Sequence, residues 1–291
     1  MKILVTGAGG QLGRDLLEHL QTGSETVHGA TRAELDLCDT VAVQRLLHQM
    51  QPDWIINCAA WTAVDDAEDR PQDAFALNRD AVAELTREAD AVACRVLHLS
   101  TDYVFSGEGN TPWREEDPTA PIGVYGRSKL EGEQAVLASP GRHTVLRTSW
   151  LYGVHGKNFV KTMLRLARER DELRVVNDQF GSPTWSHDLA EAIGVLLHQG
   201  ATGLYHYANR GRTSWHAFAC AILEEARPLG FDVRARRVVA VSSDAFPTRA
   251  RRPACSVLDT RRIQALLPAP IPGWRDSLRR MLRALAAAGL D

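Results

Sequence analysis

The chain reads as an α/β protein, with a doubly wound parallel sheet carrying a smaller, interleaved α/β subdomain. Two observations predict this: short apolar runs alternate with helical stripes through residues 1–149, and that rhythm loosens after Trp150. Strands joined by right-handed helical crossovers lie parallel in one sheet, with helices on both faces.

The elements follow in order. Residues 2–6 form an apolar run ended by glycines, and residues 11–20 place Leu12, Leu16, Leu17 and Leu20 on one helical stripe. A second strand is expected at 25–30. A helix at 40–51 follows, capped by Asp39, striped by Val43, Leu46, Leu47 and Met50, and stopped by Pro52. The third strand is 54–58, and an alanine-rich helix spans 71–91 from Pro71. Strand 95–100, helix 125–137 and strand 144–148 complete the alternation. Beyond Trp150 the pattern predicts helices at 188–197, 214–227 and 274–288 and a strand at 203–207. Residues 1–149 with about 185–208 are therefore assigned to the sheet domain. Residues 150–184 with about 209–291 are assigned to the subdomain.

Composition narrows the class. With 44% hydrophobic and 24% charged residues over 291 positions, the chain is ordinarily globular, and its net charge of −2 supplies no basic field for nucleic acid. An anionic ligand must be met by local groups. The five cysteines (Cys38, Cys58, Cys94, Cys220, Cys255) are odd in number and scattered, with no CxxC spacing, which points to a reducing cytoplasm. The glycine turn follows the first strand at once, so no signal peptide is expected, and no apolar run reaches membrane-spanning length.

Gly7, Gly10 and Gly13 stand between the first strand and the first helix, where backbone amides and the helix dipole receive a pyrophosphate. That context, more than the glycines alone, makes this the turn of a Rossmann-type fold binding NADH or NADPH, with Gln11 and Leu12 in the same turn. At the end of the second strand stand Thr31 and Arg32, and the arginine favours the 2′-phosphate of NADPH. The third strand closes in small residues, Ala59 and Ala60, which permit close cofactor approach, and Thr62 offers a hydroxyl.

Tyr125 and Lys129 lie four apart on a predicted helix and so share one face. A tyrosine is a poor proton donor near neutrality unless a cation stabilises its phenolate, which Lys129 supplies. Thr101, at the carboxyl end of the fourth strand, adds a hydroxyl where ligands of such sheets bind. The expected catalytic set is Thr101, Tyr125 and Lys129.

Longer motifs carry a resemblance. Thr101-Asp102-Tyr103-Val104-Phe105, Tyr125-Gly126-Arg127-Ser128-Lys129 and Arg147-Thr148-Ser149-Trp150 resemble the dTDP-4-dehydrorhamnose reductases, a branch of the extended short-chain dehydrogenases. The stretches 158–164 and 177–184 extend the likeness into the second half, and the GxxGxxG spacing agrees with it. The resemblance implies reduction of dTDP-4-dehydro-6-deoxy-L-mannose to dTDP-L-rhamnose, with Tyr125 as proton donor, Lys129 lowering its pKa and Thr101 orienting the carbonyl. It also implies adenine contact at Asp36 and Leu37, and dTDP-sugar contact at Asp102, Trp150, Asn158 and Gln179. Some members hold magnesium at a dimer interface. Here Asp15 keeps an acid but His187 stands at the matching later position, so no metal is expected and the chain is either a monomer or a homodimer.

Remaining candidates are weaker. Asp65 with Asp66 and Glu115 with Glu116 read as solvated loops, and Arg249, Arg251 and Arg252 read as basic surface or a diphosphate clamp. Two other functions stay open. One is a nonenzymatic NADP-binding subunit, like the reductase-like regulatory subunit of a methionine adenosyltransferase; the other is a reductase or epimerase of another nucleotide sugar.

Overall fold

The computed structural model describes residues 1–289. Its elements run β1 (Lys2–Thr6), α1 (Gln11–Gln21), β2 (Thr26–Ala30), α2 (Thr40–Met50), β3 (Trp54–Asn57), α3 (Val64–Asp69), α4 (Pro71–Phe75), α5 (Ala81–Ala91), β4 (Arg95–Thr101), α6 (Val124–Ala138) and β5 (Thr144–Thr148). There follow β6 (Leu151–Tyr152), α7 (Phe159–Glu169), β7 (Glu172–Val176), β8 (Phe180–Gly181), β9 (Thr184–Trp185), α8 (Ser186–His198), β10 (Gly203–Tyr207), β11 (Thr213–Ser214), α9 (Trp215–Ala226), β12 (Arg237–Val241), α10 (Arg261–Gln264) and α11 (Trp274–Ala287).

Six strands form one parallel sheet in the order β10-β5-β4-β3-β1-β2. The chain leaves β1 for β2 on one side and returns to β3 on the other, so the switch point lies between β1 and β3, where their carboxyl ends open a crevice. Burial follows position. All residues of β3 and nearly all of β1 and β4 are buried, as central strands covered on both faces must be, whereas edge strand β2 alternates. The α1 stripe buries Leu12, Leu16 and Leu20 against α8 and the sheet. No helix among the described residues is long and apolar enough to cross a membrane.

The 185–208 stretch returns to this sheet, with Leu189, Ile193 and Leu196 of α8 in the first core and β10 paired with β5. A second core gathers Tyr152, Val160, Met163, Leu173, Phe218, Leu278 and Leu282 from residues after Trp150. In one place the packing differs from the expected division, because Ile263 and Ile271 join the first core.

The single helix expected over 71–91 is two helices joined by a π-helical turn, Ala76–Asp80. Asn78 in that turn is fully buried. Its side chain accepts from Trp61 N at 2.8 Å and donates to Ser128 Oγ at 3.0 Å. Gly132 of α6 passes directly over the Asn78 carbonyl, where any side chain would collide. The widened turn therefore sits where α6 presses on it and where a polar side chain bridges three segments.

Candidate active site

A cleft of about 1100 Å³ runs along the carboxyl ends of the strands. Its first half is the glycine turn. Gly7 has φ +67°, and a side chain there would strike the backbone of Cys58 and Ala59 at the end of β3. Gly13 lies equally close to Ala8, so α1 begins tight against the turn. Gly10 is the N-cap of α1 and no side chain caps it, which leaves the first amides of the helix for an anion. Gln11, Leu12, Arg32, Asp36, Leu37, Ala59, Ala60 and Thr62 line the same half. These features fit a dinucleotide. Arg32 is largely exposed, its Nε 3.7 Å from Asp36 Oδ2, while Thr31 is bound by Glu34.

The middle of the cleft brings together Thr101, Asp102, Tyr125 and Lys129. Tyr125 sits in the first turn of α6, which Glu68 secures by accepting from Val124 N at 2.8 Å, and Tyr103 packs edge-on to its ring at 5.5 Å. Burial pushes the Tyr125 phenol up to about 12; the Thr101 hydroxyl opposes that rise and Asp102 adds to it. Burial also pushes Asp102 up to about 7, against hydroxyls from Ser256 and Thr101. Lys129 is buried beneath this group, and burial pulls its amine down to about 8, with Glu133 and Cys58 acting the other way.

Lys129 Nζ donates to the Leu99 carbonyl at 2.7 Å and lies 3.2 Å from His98 Nε2, so its polar contacts run to β4. The lysine is held from below, by β4.

The far half is aromatic. Trp150 and Trp215 stack with ring centroids 3.5 Å apart and planes within 5°, and both line the cleft. Trp150 has φ +46°, an uncommon conformation for a bulky residue, and its indole lies against Gly181, where a side chain would strike the ring. Lys157 adds a cation to the lining.

Asn158 and Gln179 do not reach the cleft lining. Asn158 caps α7 by accepting from Lys161 N at 3.1 Å, and donates to Gln11 Oε1 at 2.9 Å and to Gly153 O at 2.8 Å. It thus ties the glycine turn to the second core. Gln179 donates to Ser243 Oγ at 2.9 Å. The arginine cluster is likewise committed elsewhere, with Arg252 bound to Asp65 at 2.9 Å and Arg249 to Asp69. Asp65 is therefore an ion-pair partner, not merely a solvated loop acid.

The resemblance implies a magnesium site held by carboxylates near Asp15 and His187. Asp15 is buried and its carboxyl is raised by that burial, with Glu18 and His155 beside it. His187 stacks on Trp185 at 4.7 Å. Imidazole nitrogen replaces oxygen in this set, so it does not fit a magnesium ion, and no step is derived through one.

Four residues of consequence escaped the sequence reading. Trp215 and Lys157 carried no motif, while Asn78 and His98 sat inside helix and strand patterns as polar interruptions, the one signal that was there to find.

Comparison with known proteins agrees with this geometry. A family model described as the RmlD substrate binding domain matches residues 1–287. The chain is 42% identical to the dTDP-4-dehydrorhamnose reductase of Shigella flexneri, over 98% of each chain. The solved reductase of Clostridium acetobutylicum superposes with TM-score 0.92 at 38% identity, covering 98% of this chain and 99% of that one. That of Bacillus anthracis, solved in complex with NADP, gives 0.92 at 36%, covering 96% and 98%. The chain belongs to the dTDP-4-dehydrorhamnose reductase family.

Proposed function

We propose that this protein reduces dTDP-4-dehydro-6-deoxy-L-mannose to dTDP-L-rhamnose with NADPH, NADH being the second choice. The observation that carries this is the convergence of Thr101, Tyr125 and Lys129 between a dinucleotide-shaped turn and the Trp150–Trp215 wall. Support comes from relatives named as dTDP-4-dehydrorhamnose reductases at about the same length. A nonenzymatic subunit would have no need of this set.

NADPH, when bound, would supply the hydride to C4 of the sugar. Thr101 donates a hydrogen bond to the sugar carbonyl and Tyr125 gives its proton to the oxygen as negative charge develops there. A buried phenol with its pKa pushed up to about 12 is loaded with that proton at neutral pH. Charged Lys129 then steadies the phenolate left behind. Asp102 and Trp150 contact the sugar, and Lys157 meets the diphosphate. Gly7, Gly10, Gln11, Leu12 and Gly13 receive the pyrophosphate of the cofactor, Asp36 and Leu37 its adenine, and Arg32 its 2′-phosphate. Ala59, Ala60 and Thr62 flank it. The five unpaired cysteines suit a cytoplasmic location.

The test is to supply the dTDP-4-keto sugar, follow NADPH and NADH oxidation separately, and identify the product. Stoichiometric dTDP-L-rhamnose is expected. Cofactor binding with no oxidation would favour the nonenzymatic reading, and epimerisation without net cofactor consumption would favour an epimerase.

A further inference from the structure

A buried line of polar groups runs from β1 to the catalytic lysine. Thr6 Oγ1 donates to Asn57 Oδ1 at 2.7 Å, Asn57 Nδ2 lies 3.1 Å from His98 Nδ1, and His98 Nε2 lies 3.2 Å from Lys129 Nζ. Thr6, Asn57, His98 and Lys129 are each no more than 1% exposed, so every donor in the line must find its acceptor inside the protein.

One bond fixes the orientation of all the others. The Ala59 backbone amide donates to Asn57 Oδ1 at 3.2 Å, and a backbone N–H cannot reverse its role. Asn57 Oδ1 therefore faces Ala59 and Thr6, and its NH2 group faces His98. His98 Nδ1 must accept. A neutral imidazole that accepts at Nδ1 carries its proton on Nε2, and His98 is neutral because burial and the neighbouring Lys129 hold its pKa well below the usual histidine range. The Nε2–H thus points at Lys129 Nζ, a donor aimed at an ammonium that has no lone pair to accept it.

We propose that His98 is a positioning residue whose Nε2–H, oriented by Asn57, faces Lys129 Nζ and weakens the amine's hold on its proton. The other groups around this amine are Cys58 from the end of β3, the Leu99 carbonyl from β4, and Glu133 from α6 itself. Glu133 is already taken up by Arg147 at 2.7 Å and by Ser100, and burial pushes the Cys58 thiol up to about 12, so neither gives Lys129 a close anion. His98 touches neither substrate nor cofactor. The line ends at Thr6 inside the sheet, so it tunes the lysine and does not conduct protons to solvent. It deepens the proposed reductase mechanism, since Lys129 must be charged to steady the Tyr125 phenolate.

The experiment replaces the donor with a group that can accept, His98→Gln. Lys2, Lys129, Lys157 and Lys161 are the only lysines, so ε-13C-lysine NMR can follow Lys129 directly, assigned by the signal lost in Lys129→Arg. In the wild type this signal is expected to titrate near 8. In His98→Gln the midpoint rises by about one unit or more, as expected when an acceptor replaces a facing donor, and the alkaline limb of kcat/KM rises with it. An unchanged Lys129 midpoint in folded His98→Gln overturns the proposal whatever the activity, which separates its failure from failure of the reductase reading. If that variant does not fold, 15N-histidine NMR of the wild type decides: an Nε2–H tautomer supports the proposal and an Nδ1–H tautomer overturns it.

Discussion

Lys129 Nζ donates to the Leu99 carbonyl oxygen at 2.7 Å, so a helix side chain is anchored to the strand beneath it and not to the tyrosine one turn away. The lysine is fixed before any ligand arrives, and its removal separates stability from activity. A fully buried amine whose pKa falls from 10.5 to about 8 carries a penalty for charge in the folded state, on the order of 3 kcal/mol. The unfolded chain binds more protons between pH 8 and 10.5, so this penalty is complete below pH 8 and is relieved as pH rises through that window. Lys129→Met should lower kcat/KM by about 10²-fold or more while the unfolding midpoint at pH 7 stays level or rises, since the Leu99 carbonyl loses a partner as the charge is removed. Kinetics and thermal melts of the same preparation check both halves.

Asp102 gives the opposite pH signature. Its carboxyl is raised from 3.8 to about 7, so between those values the folded state keeps a proton that the unfolded state has lost. Stability from this group is fully present below pH 4, declines through the window, and is gone above about 7. Asp102→Asn should remove that decline and raise the unfolding midpoint at pH 8. Denaturation curves from pH 4 to 8 would show it, and an unchanged slope would contradict the buried carboxyl.

Gly181 and Trp150 shape the aromatic end of the cleft. Gly181→Ala places a methyl against the Trp150 indole, which is already pinned by Trp215. The expected result is a rise in KM for the dTDP-sugar by about tenfold, a loss of about 1.4 kcal/mol, with NADPH affinity unchanged. Equal loss of both affinities would mean that the turn as a whole had collapsed.

Asn158 distinguishes motif from contact. Its side chain caps α7 and binds Gln11, so Asn158→Ala should destabilise the fold by about 1–2 kcal/mol and leave KM for the sugar nearly unchanged. A large KM effect with full stability would restore the substrate contact that the resemblance implied.

The parts legible in the sequence were those written locally. The glycine turn, the Tyr125–Lys129 pairing and the strand–helix rhythm each depend on neighbours within a few residues, and the fold follows from them. The π-helical turn at Asn78 packs closely against Gly132, more than fifty residues later, and no periodicity in 71–91 encodes it. Trp150 was recognisable as a motif residue, but its stacking partner Trp215 comes from α9 and is joined to it only by tertiary packing. Asn158 and Gln179 show the limit of resemblance, because a motif marks that a residue matters without saying what it touches. His98 reads as one polar residue within a buried strand, and its meaning emerges only once Asn57 and Lys129 stand on either side.

Turnover of the dTDP-4-keto sugar by Tyr125→Phe is the most direct test of the account, with NADPH binding measured on the same sample. The account predicts a fall in kcat of about 10²-fold or more with NADPH still bound, since the proposed mechanism takes its proton from this phenol. Wild-type turnover in Tyr125→Phe would contradict it.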